Sequence, residues 1–144
     1  MAFIKMSFAE LFRRDYKIPI ITKVYNNNDI FRLINNNKIT KIFLFRIGII
    51  INKNLLSTNT DFFNVHCARL PEYGGIGQIH RILNEKAFIQ EATIHKIVEK
   101  IDAGEIIAKI PYVLDKRLSY VENEHIAYEA GMDLLISHLE NIVD

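Results

Sequence analysis

The chain has 144 residues, of which 49% are hydrophobic and 24% charged, the usual balance of a globular domain. Lys and Arg total 18 and Asp and Glu total 17, so the net charge of +1 argues against a broad phosphate-binding surface and a nucleic-acid partner. The single cysteine, Cys67, excludes an intrachain disulfide and favours a reducing, cytoplasmic compartment. The longest apolar run, residues 42–51, is too short to span a bilayer, and no membrane partner is expected.

We expect one domain over residues 1–144, because no linker or internal repeat divides the chain. In the first part of the chain, apolar runs alternate with turn signals, which predicts alternating helices and strands. The predicted elements are, in order, a helix over residues 8–16, a strand over 18–24, a helix capped by Asp29, a strand over 41–51 and a short helix over 54–57. The run over residues 41–51 is typical of a strand buried on both faces.

The second part of the chain continues the alternation and predicts a late hairpin. Its predicted elements are a strand over residues 62–65, a helix over 78–84, strands over 92–98 and 105–113, and a long final helix. Ser119 and Glu122 form a capping box that opens this last helix. The predicted fold class is therefore α/β, an open and mostly parallel twisted sheet with flanking helices. In such folds the chemistry gathers at the carboxyl ends of the strands.

Three polar residues are candidates for chemistry at such a position. Asn64 and His66 stand two residues apart at the end of a predicted strand, so their side chains share one face. Asp102 lies in a later turn that contains Gly104. An amide that stabilises an oxyanion, an imidazole that moves a proton and a carboxylate that orients the imidazole would suit acyl transfer. The alternative is structural, with Asn64 and His66 satisfying backbone groups and Asp102 shaping its turn.

Two motifs carry a more specific signal. Residues 64–75 read Asn-Val-His-Cys-Ala-Arg-Leu-Pro-Glu-Tyr-Gly-Gly. This run resembles the Asn-x-His-x-Ser-x-Leu-Pro-x-Tyr-Arg-Gly signature of the folate-dependent formyltransferases. Residues 92–95 read Ala-Thr-Ile-His and residues 102–104 read Asp-Ala-Gly, which together resemble the second motif of that family. The family includes glycinamide ribonucleotide, methionyl-tRNA and sugar N-formyltransferases.

The resemblance implies a catalytic trio and two supporting residues. By this resemblance Asn64 holds the formyl oxygen, and His66 acts as the general base or shares the oxyanion charge. Asp102 sustains the charged imidazole and a bound water that relays the proton. Thr93 and His95 support these three side chains.

The resemblance also implies a formyl donor, 10-formyltetrahydrofolate, and a small-molecule primary amine as acceptor. The folate head is expected against the backbone of an apolar run and of the loop that leads to Asp102. The residues expected at this cofactor site are Gly48, Ile49, Ile50, Ile51, Glu99, Lys100 and Ile101. Apolar side chains between main-chain partners suit such a slot.

Three departures from the family pattern bear on the substrate. The first glycine is Gly48, so the glycine-rich turn that holds a phosphate in the purine enzyme is not found, and the first strand–helix unit is expected to be shortened or missing. Ala68 stands where many members carry Ser, and Gly74 where many carry Arg. These changes affect substrate binding rather than the trio.

Several functions stay open at this point. The preferred prediction is an N-formyltransferase acting on a nucleotide-linked amino sugar, since the missing turn weakens the purine substrate and the near-neutral charge weakens tRNA. The alternatives are a glycinamide ribonucleotide-type formyltransferase, a truncated folate-binding or interaction module without turnover, and one part of a longer protein. Whether the chain forms a homo-oligomer is left open by the sequence.

Two further interpretations of the same residues are less favoured. His66, His95 and Asp102 could be drawn as metal ligands, but the resemblance accounts for all three without a metal, and none is expected. Cys67 follows His66, and adjacent strand residues point to opposite faces. We therefore expect an inert buried thiol rather than a nucleophile.

Overall fold

The computed structural model describes residues 22–143. Within this range the elements are α1 (Asn27–Asn37), β1 (Lys41–Phe45), α2 (Lys53–Leu56), β2 (Asp61–His66), α3 (Gln78–Asn84), β3 (Ile89–Lys96), β4 (Ile106–Val113) and α4 (Tyr120–Val143). None of the described helices is both long and apolar enough to cross a membrane. The predicted helix over residues 8–16 lies outside the described residues, as does most of the predicted strand over 18–24. Residues 22–24 belong to no strand.

The four strands form one sheet in the order β1-β2-β3-β4. Strands β1 and β2 are parallel, whereas β2 with β3 and β3 with β4 are antiparallel. The α/β class is therefore confirmed, but the described sheet is mixed rather than mostly parallel. For β3 and β4 the reason is their short connection, which permits only the predicted hairpin, since parallel neighbours need a long crossover.

The cap of α1 differs from the prediction. Asn26, rather than Asp29, is the N-cap residue, and its side-chain oxygen accepts a hydrogen bond from the Asp29 N–H at 3.0 Å. The Asp29 carboxylate in turn accepts from the Tyr25 N–H at 2.9 Å. Asp29 thus occupies the third helical position of a reciprocal capping arrangement. Both residue types favour a cap, which is why the sequence alone placed it wrongly.

Strand β1 is shorter and more exposed than the predicted strand over residues 41–51. It ends at Phe45 because Arg46 adopts a left-handed backbone with φ of 54°. The Arg46 guanidinium lies 3.8 Å from the centre of the Tyr128 ring on α4, which holds this turn. Only Leu44 of the strand is fully buried, since among the described strands β1 pairs with β2 alone.

The other predicted elements agree more closely with the structure. Helix α3 has the predicted bounds, and α2 begins one residue before the predicted helix over residues 54–57. The capping box of α4 is confirmed, because the Ser119 hydroxyl and N–H both donate to the Glu122 carboxylate, at 2.7 and 2.8 Å. Strands β2, β3 and β4 lie within a few residues of their predicted positions.

The two faces of the sheet have separate apolar cores. One core contains α4 and the side chains that β2, β3 and β4 direct toward it; its buried members include Phe63, Val65, Ala92, Ile94, Ala127, Leu134 and Leu135. The other core joins α1 and α2 to the opposite face; its buried members are Ile30, Leu44, Ile51, Leu55 and Phe62. Because side chains alternate along β2, the residues that follow Phe62 on its face are Asn64 and His66.

Helix α4 lies close against the sheet at Gly131. A Cβ atom at this position would lie 2.5 Å from the Cys67 Sγ and 3.2 Å from the Phe45 ring. The absent side chain therefore lets the helix backbone rest directly on β1 and on the end of β2.

We predict that Gly131→Ala destabilises the protein by about 1–3 kcal/mol, because overpacking outweighs the gain of about 1 kcal/mol in helix propensity. Cys67→Ala removes the nearest atom and should recover part of that loss in the double variant. Urea unfolding of the two single variants and the double variant measures the coupling. Strictly additive changes in the free energy of unfolding would contradict this contact.

Candidate active site

The pairing of β2 with β3 brings four predicted site residues together. Asn64 is directly opposite His95, and His66 is directly opposite Thr93. Directly paired residues of antiparallel strands place their side chains on the same face. The two supporting residues implied by the sequence motif therefore lie beside the two catalytic candidates, on the face that carries Phe62.

Asp102 reaches this face from the turn that follows β3. Its own backbone is left-handed, with φ of 52°. Gly104 lets the turn pack against β3, since a Cβ atom there would overlap the carbonyl group of Lys96. Asp102 Oδ1 lies 3.1 Å from His95 Nε2, and its Oδ2 lies 3.7 Å from His66 Nδ1. All three members of the predicted trio therefore meet at one place.

One hydrogen bond determines which nitrogen of His66 can react. His66 Nε2 lies 2.7 Å from the Tyr73 carbonyl oxygen. A carbonyl only accepts, so Nε2 carries a proton and donates it. In the neutral ring Nδ1 is then the unprotonated nitrogen, and it faces the Asp102 carboxylate. His66 is thus arranged to take up a proton at Nδ1 and to hold the resulting charge beside Asp102.

The surroundings of His66 and Asp102 act differently on the pKa values of the two side chains. Burial lowers the pKa of His66, outweighing the opposing effects of the Tyr73 hydrogen bond and of the Asp102 carboxylate. Burial alone would raise the pKa of Asp102, but the hydrogen bonds from His95 and from the Gly75 N–H, with the neighbouring imidazoles, hold it at about 2. At neutral pH the site therefore contains a carboxylate and an uncharged imidazole, the protonation states that a general base needs.

Thr93 and His95 are buried and connect the site to the backbone around it. The Thr93 hydroxyl donates to the His66 carbonyl at 3.4 Å. The His95 ring bridges two groups: its Nδ1 lies 3.1 Å from the Lys96 carbonyl oxygen, and its Nε2 lies 3.1 Å from the Asp102 carboxylate. The Asn64 amide nitrogen lies 3.5 Å from His95 Nε2 and is only partly buried, so it borders the open side of the cluster.

The two segments predicted to bind a cofactor lie next to each other. Lys53, two residues after the apolar run, forms an ion pair of 2.6 Å with Glu99 in the loop after β3. Ile97, which leads into that loop, packs in the same core as Ile49 and Ile51. Large apolar side chains nevertheless stay exposed on both segments, at 68% for Ile50 and 59% for Ile101. Lys100 and Gly48 are exposed as well.

The side chain of Asn27 fixes the first of these segments. Its amide donates to the Ile50 carbonyl at 3.0 Å, and its oxygen accepts from the Asn52 N–H at 3.2 Å. The two bonds satisfy a backbone carbonyl and a backbone N–H that a neighbouring strand would otherwise have paired with. The segment is therefore held without being part of the sheet, and its outward side chains stay free.

Possible metal ligands and the cysteine thiol are two further features of residues 22–143 that bear on chemistry. No group of three or more His, Cys, Asp or Glu side chains in this part of the chain is arranged to hold a metal ion. Cys67 is buried against α4, and burial raises the pKa of its thiol to about 12. Such a thiol stays protonated at neutral pH, in agreement with the inert role that the sequence indicated.

Sequence reasoning missed the part played by the loop before α3. The Tyr73 carbonyl bonds His66, and the Gly75 N–H donates to Asp102 Oδ2 at 2.7 Å. These are backbone groups, so no side-chain motif reports them. The only available signal is glycine itself, because Gly75 has a positive φ of 79° that other residues rarely adopt.

The fold and the cluster define an α/β protein with an amide and two imidazoles on one face of the adjacent strands β2 and β3, and a carboxylate from the turn that follows β3. The family model described as Formyl transferase matches residues 22–136, and the chain belongs to this family. The methionyl-tRNA formyltransferase of Rickettsia rickettsii (strain Iowa) is 27% identical over 130 residues, which are 89% of this chain and 43% of that protein. The chain thus spans less than half the length of the curated relatives it matches.

Solved structures share the fold at low sequence identity. A formyltetrahydrofolate deformylase from Pseudomonas syringae pv. tomato has a TM-score of 0.71 and 22% identity, over 80% of this chain and 40% of that chain. A likely sugar N-formyltransferase from Mycobacterium tuberculosis has a TM-score of 0.70 and 17% identity, over 89% of this chain and 53% of that chain. The expected formyltransferase-like architecture is therefore confirmed for the described residues.

We predict that Gly104→Ala displaces the turn that carries Asp102. The added methyl group overlaps the Lys96 carbonyl, so unfolding should become easier by about 1–3 kcal/mol or more, as for overpacked cores. Gly48→Ala is the matched control, since a Cβ there meets no described atom within 4 Å. Thermal unfolding checks both variants. Equal midpoints for the two would contradict the close contact at Gly104.

Proposed function

We propose that this chain transfers a formyl group from 10-formyltetrahydrofolate to a primary amine, with Asn64, His66 and Asp102 as its catalytic residues. The observation that carries the proposal is the position of the Asp102 carboxylate, 3.7 Å from His66 Nδ1 on the face that also presents Asn64. Membership of the formyl transferase family supports the reaction class. The reacting group would be supplied by the folate, and the protein would provide orientation and proton transfer.

Each catalytic residue has one task in this proposal. The partly exposed Asn64 amide donates to the formyl oxygen and stabilises the negative charge that develops there. His66 accepts the proton that the attacking amine must lose, and takes it at Nδ1 because Nε2 is committed to Tyr73. When the bond between the formyl carbon and the folate nitrogen breaks, the protonated ring gives this proton to that nitrogen, and tetrahydrofolate leaves. Asp102 stays ionised throughout and balances the charge of the protonated ring. The lowered pKa of His66 keeps it unprotonated before the amine arrives.

The donor site proposed for the folate consists of residues 48–51 and 99–101. Their proximity through the ion pair of Lys53 with Glu99 supports a shared slot. The exposed Ile50 and Ile101 side chains support apolar contacts with a ring system, because apolar surface left open to water is typical of a binding site. Asp102 directly follows the second segment, so the proposed donor slot lies next to the catalytic cluster.

The proposed acceptor is a nucleotide-linked amino sugar, and the reaction is assigned to the cytoplasm. The near-neutral charge of the chain supports a small acceptor, since tRNA binding depends on an excess of basic residues. The fold shared with the likely sugar N-formyltransferase is compatible with this choice. A second candidate acceptor is methionyl-tRNA, which the name of the Rickettsia relative favours. The third candidate acceptor is glycinamide ribonucleotide.

We predict micromolar binding of 5-formyltetrahydrofolate, a stable analogue of the donor, and at least tenfold weaker binding by Asp102→Ala. The Asp102 carboxylate lies directly after the proposed donor segment 99–101. Its removal also leaves the Gly75 N–H without its hydrogen-bond acceptor. Titration calorimetry measures both affinities. Asp133→Ala, which removes an exposed carboxylate on α4, is the matched control and should bind like the wild type.

Absence of binding by the wild-type chain at millimolar folate would overturn the donor assignment. The non-catalytic interaction module would then be the better description. Equal binding by the wild type and by Asp102→Ala would place the folate away from the catalytic cluster.

A further inference from the structure

We infer that Arg81 on α3 and Glu85, the C-cap residue of that helix, are positioning residues that hold the backbone of residues 73–75 between His66 and Asp102. The inference rests on the proposed function, because it concerns the same catalytic site. It adds two residues that belong to neither of the motifs that identify the site.

The held segment contacts both catalytic groups through its backbone. The Tyr73 carbonyl accepts from His66 Nε2 at 2.7 Å, and the Gly75 N–H donates to Asp102 Oδ2 at 2.7 Å. The first bond selects the reactive nitrogen of His66, and the second helps to keep Asp102 ionised. A shift of this short segment would therefore disturb the imidazole and the carboxylate together.

Helix α3 holds the same segment from the other side. The Arg81 guanidinium donates to the Gly74 carbonyl, and its central carbon lies 5.8 Å from the centre of the Tyr73 ring. The Glu85 carboxylate accepts from the Tyr73 hydroxyl at 2.7 Å, and this bond raises the pKa of Tyr73. Arg81 and Glu85 stand four positions apart, so they lie on one side of the helix end and act on adjacent residues of the loop.

The part of the loop that follows the clamped residues has few restraints of its own. Gly75 and Gly77 both have positive φ angles, of 79° and 71°, and glycine is the residue with the greatest backbone freedom. Ile76 between them is 97% exposed, so it contributes no packing. Tyr73, which is 8% exposed, is the apolar anchor of the segment, and the clamp acts on its hydroxyl and on the next carbonyl.

Helix α3 itself does not depend on the clamp. Its buried residues, Ile79 and Ile82, are 2% and 0% exposed and belong to the core shared with α4. Arg81 is only partly buried and Glu85 is exposed. Substitutions at Arg81 and Glu85 are therefore expected to leave the fold intact and to change the geometry of the loop.

The test compares Arg81→Met, Arg81→Lys and Glu85→Gln with the wild type, and Arg32→Met, an exposed arginine on α1, serves as control. The first readout is the ¹⁵N NMR spectrum of the Gly75 amide and of the His66 ring. We expect the Gly75 proton to move upfield and the His66 Nε2 proton to exchange faster in Arg81→Met. Arg81→Lys keeps the charge and a donor for the Gly74 carbonyl but loses the planar guanidinium beside Tyr73, so its effect should be smaller than that of Arg81→Met.

The second readout is steady-state formyl transfer. Misplacement of a catalytic group costs up to about 100-fold in rate, so kcat of Arg81→Met should fall by about 10- to 100-fold. Glu85→Gln should lower kcat by less, because its amide oxygen still accepts from the Tyr73 hydroxyl, although without the negative charge. KM for the donor should change little, because neither residue lies in the donor segments. Unfolding temperatures should stay close to that of the wild type.

The two readouts separate the clamp from the proposed function. Unchanged Gly75 and His66 signals in both Arg81→Met and Glu85→Gln would overturn the inference, whatever the activity. Shifted signals with unchanged kcat would also overturn it, since the segment would then not govern the site. Shifted signals in a chain that transfers no formyl group would support the clamp and contradict the proposed function.

Discussion

The Asp102 carboxylate is the group on which the arrangement of the site depends. Its side chain is 11% exposed, and a carboxylate withdrawn from water persists only where other groups replace its hydration. The groups at hydrogen-bond distance are His95 at the end of β3 and the Gly75 N–H in the loop before α3, and His66 at the end of β2 adds a charge partner once its Nδ1, 3.7 Å away, is protonated. Stabilising one charge therefore fixes two strand ends and a glycine-rich loop relative to one another.

The alternation of side chains along β2 gives the sheet two different faces. Phe63 and Val65 pack against α4, whereas Asn64 and His66 point to the face where chemistry can occur. Gly131 brings α4 close to the first of these faces, and Gly104 brings the Asp102 turn close to the end of β3. The donor segments proposed at residues 48–51 and 99–101 border the polar face without joining the sheet, which leaves their side chains free to bind.

Local patterns predicted the parts of the fold that local interactions determine. The bounds of α3, the Ser119 capping box and the late hairpin follow from periodicity, caps and turn residues that lie within a few positions of one another. The end of β1 was predicted wrongly, because the turn at Arg46 depends on Tyr128, which is distant in sequence. The motif predicted Asn64, His66 and Asp102 as site residues. It did not predict the contacts of Tyr73 and Gly75, because these are made by backbone groups that every residue carries.

Formyl transfer itself tests the central claim most directly. The chain would be supplied with 10-formyltetrahydrofolate labelled with ¹³C in the formyl group and with nucleotide-linked amino sugars, glycinamide ribonucleotide or methionyl-tRNA, and the N-formyl carbon followed by NMR. We expect product with one acceptor class, a rate reduced by about 10²–10³ in Asn64→Ala and an unchanged rate in the exposed control Asn141→Ala. No product from a wild-type chain that binds the folate, or an unchanged rate in Asn64→Ala, would contradict the account.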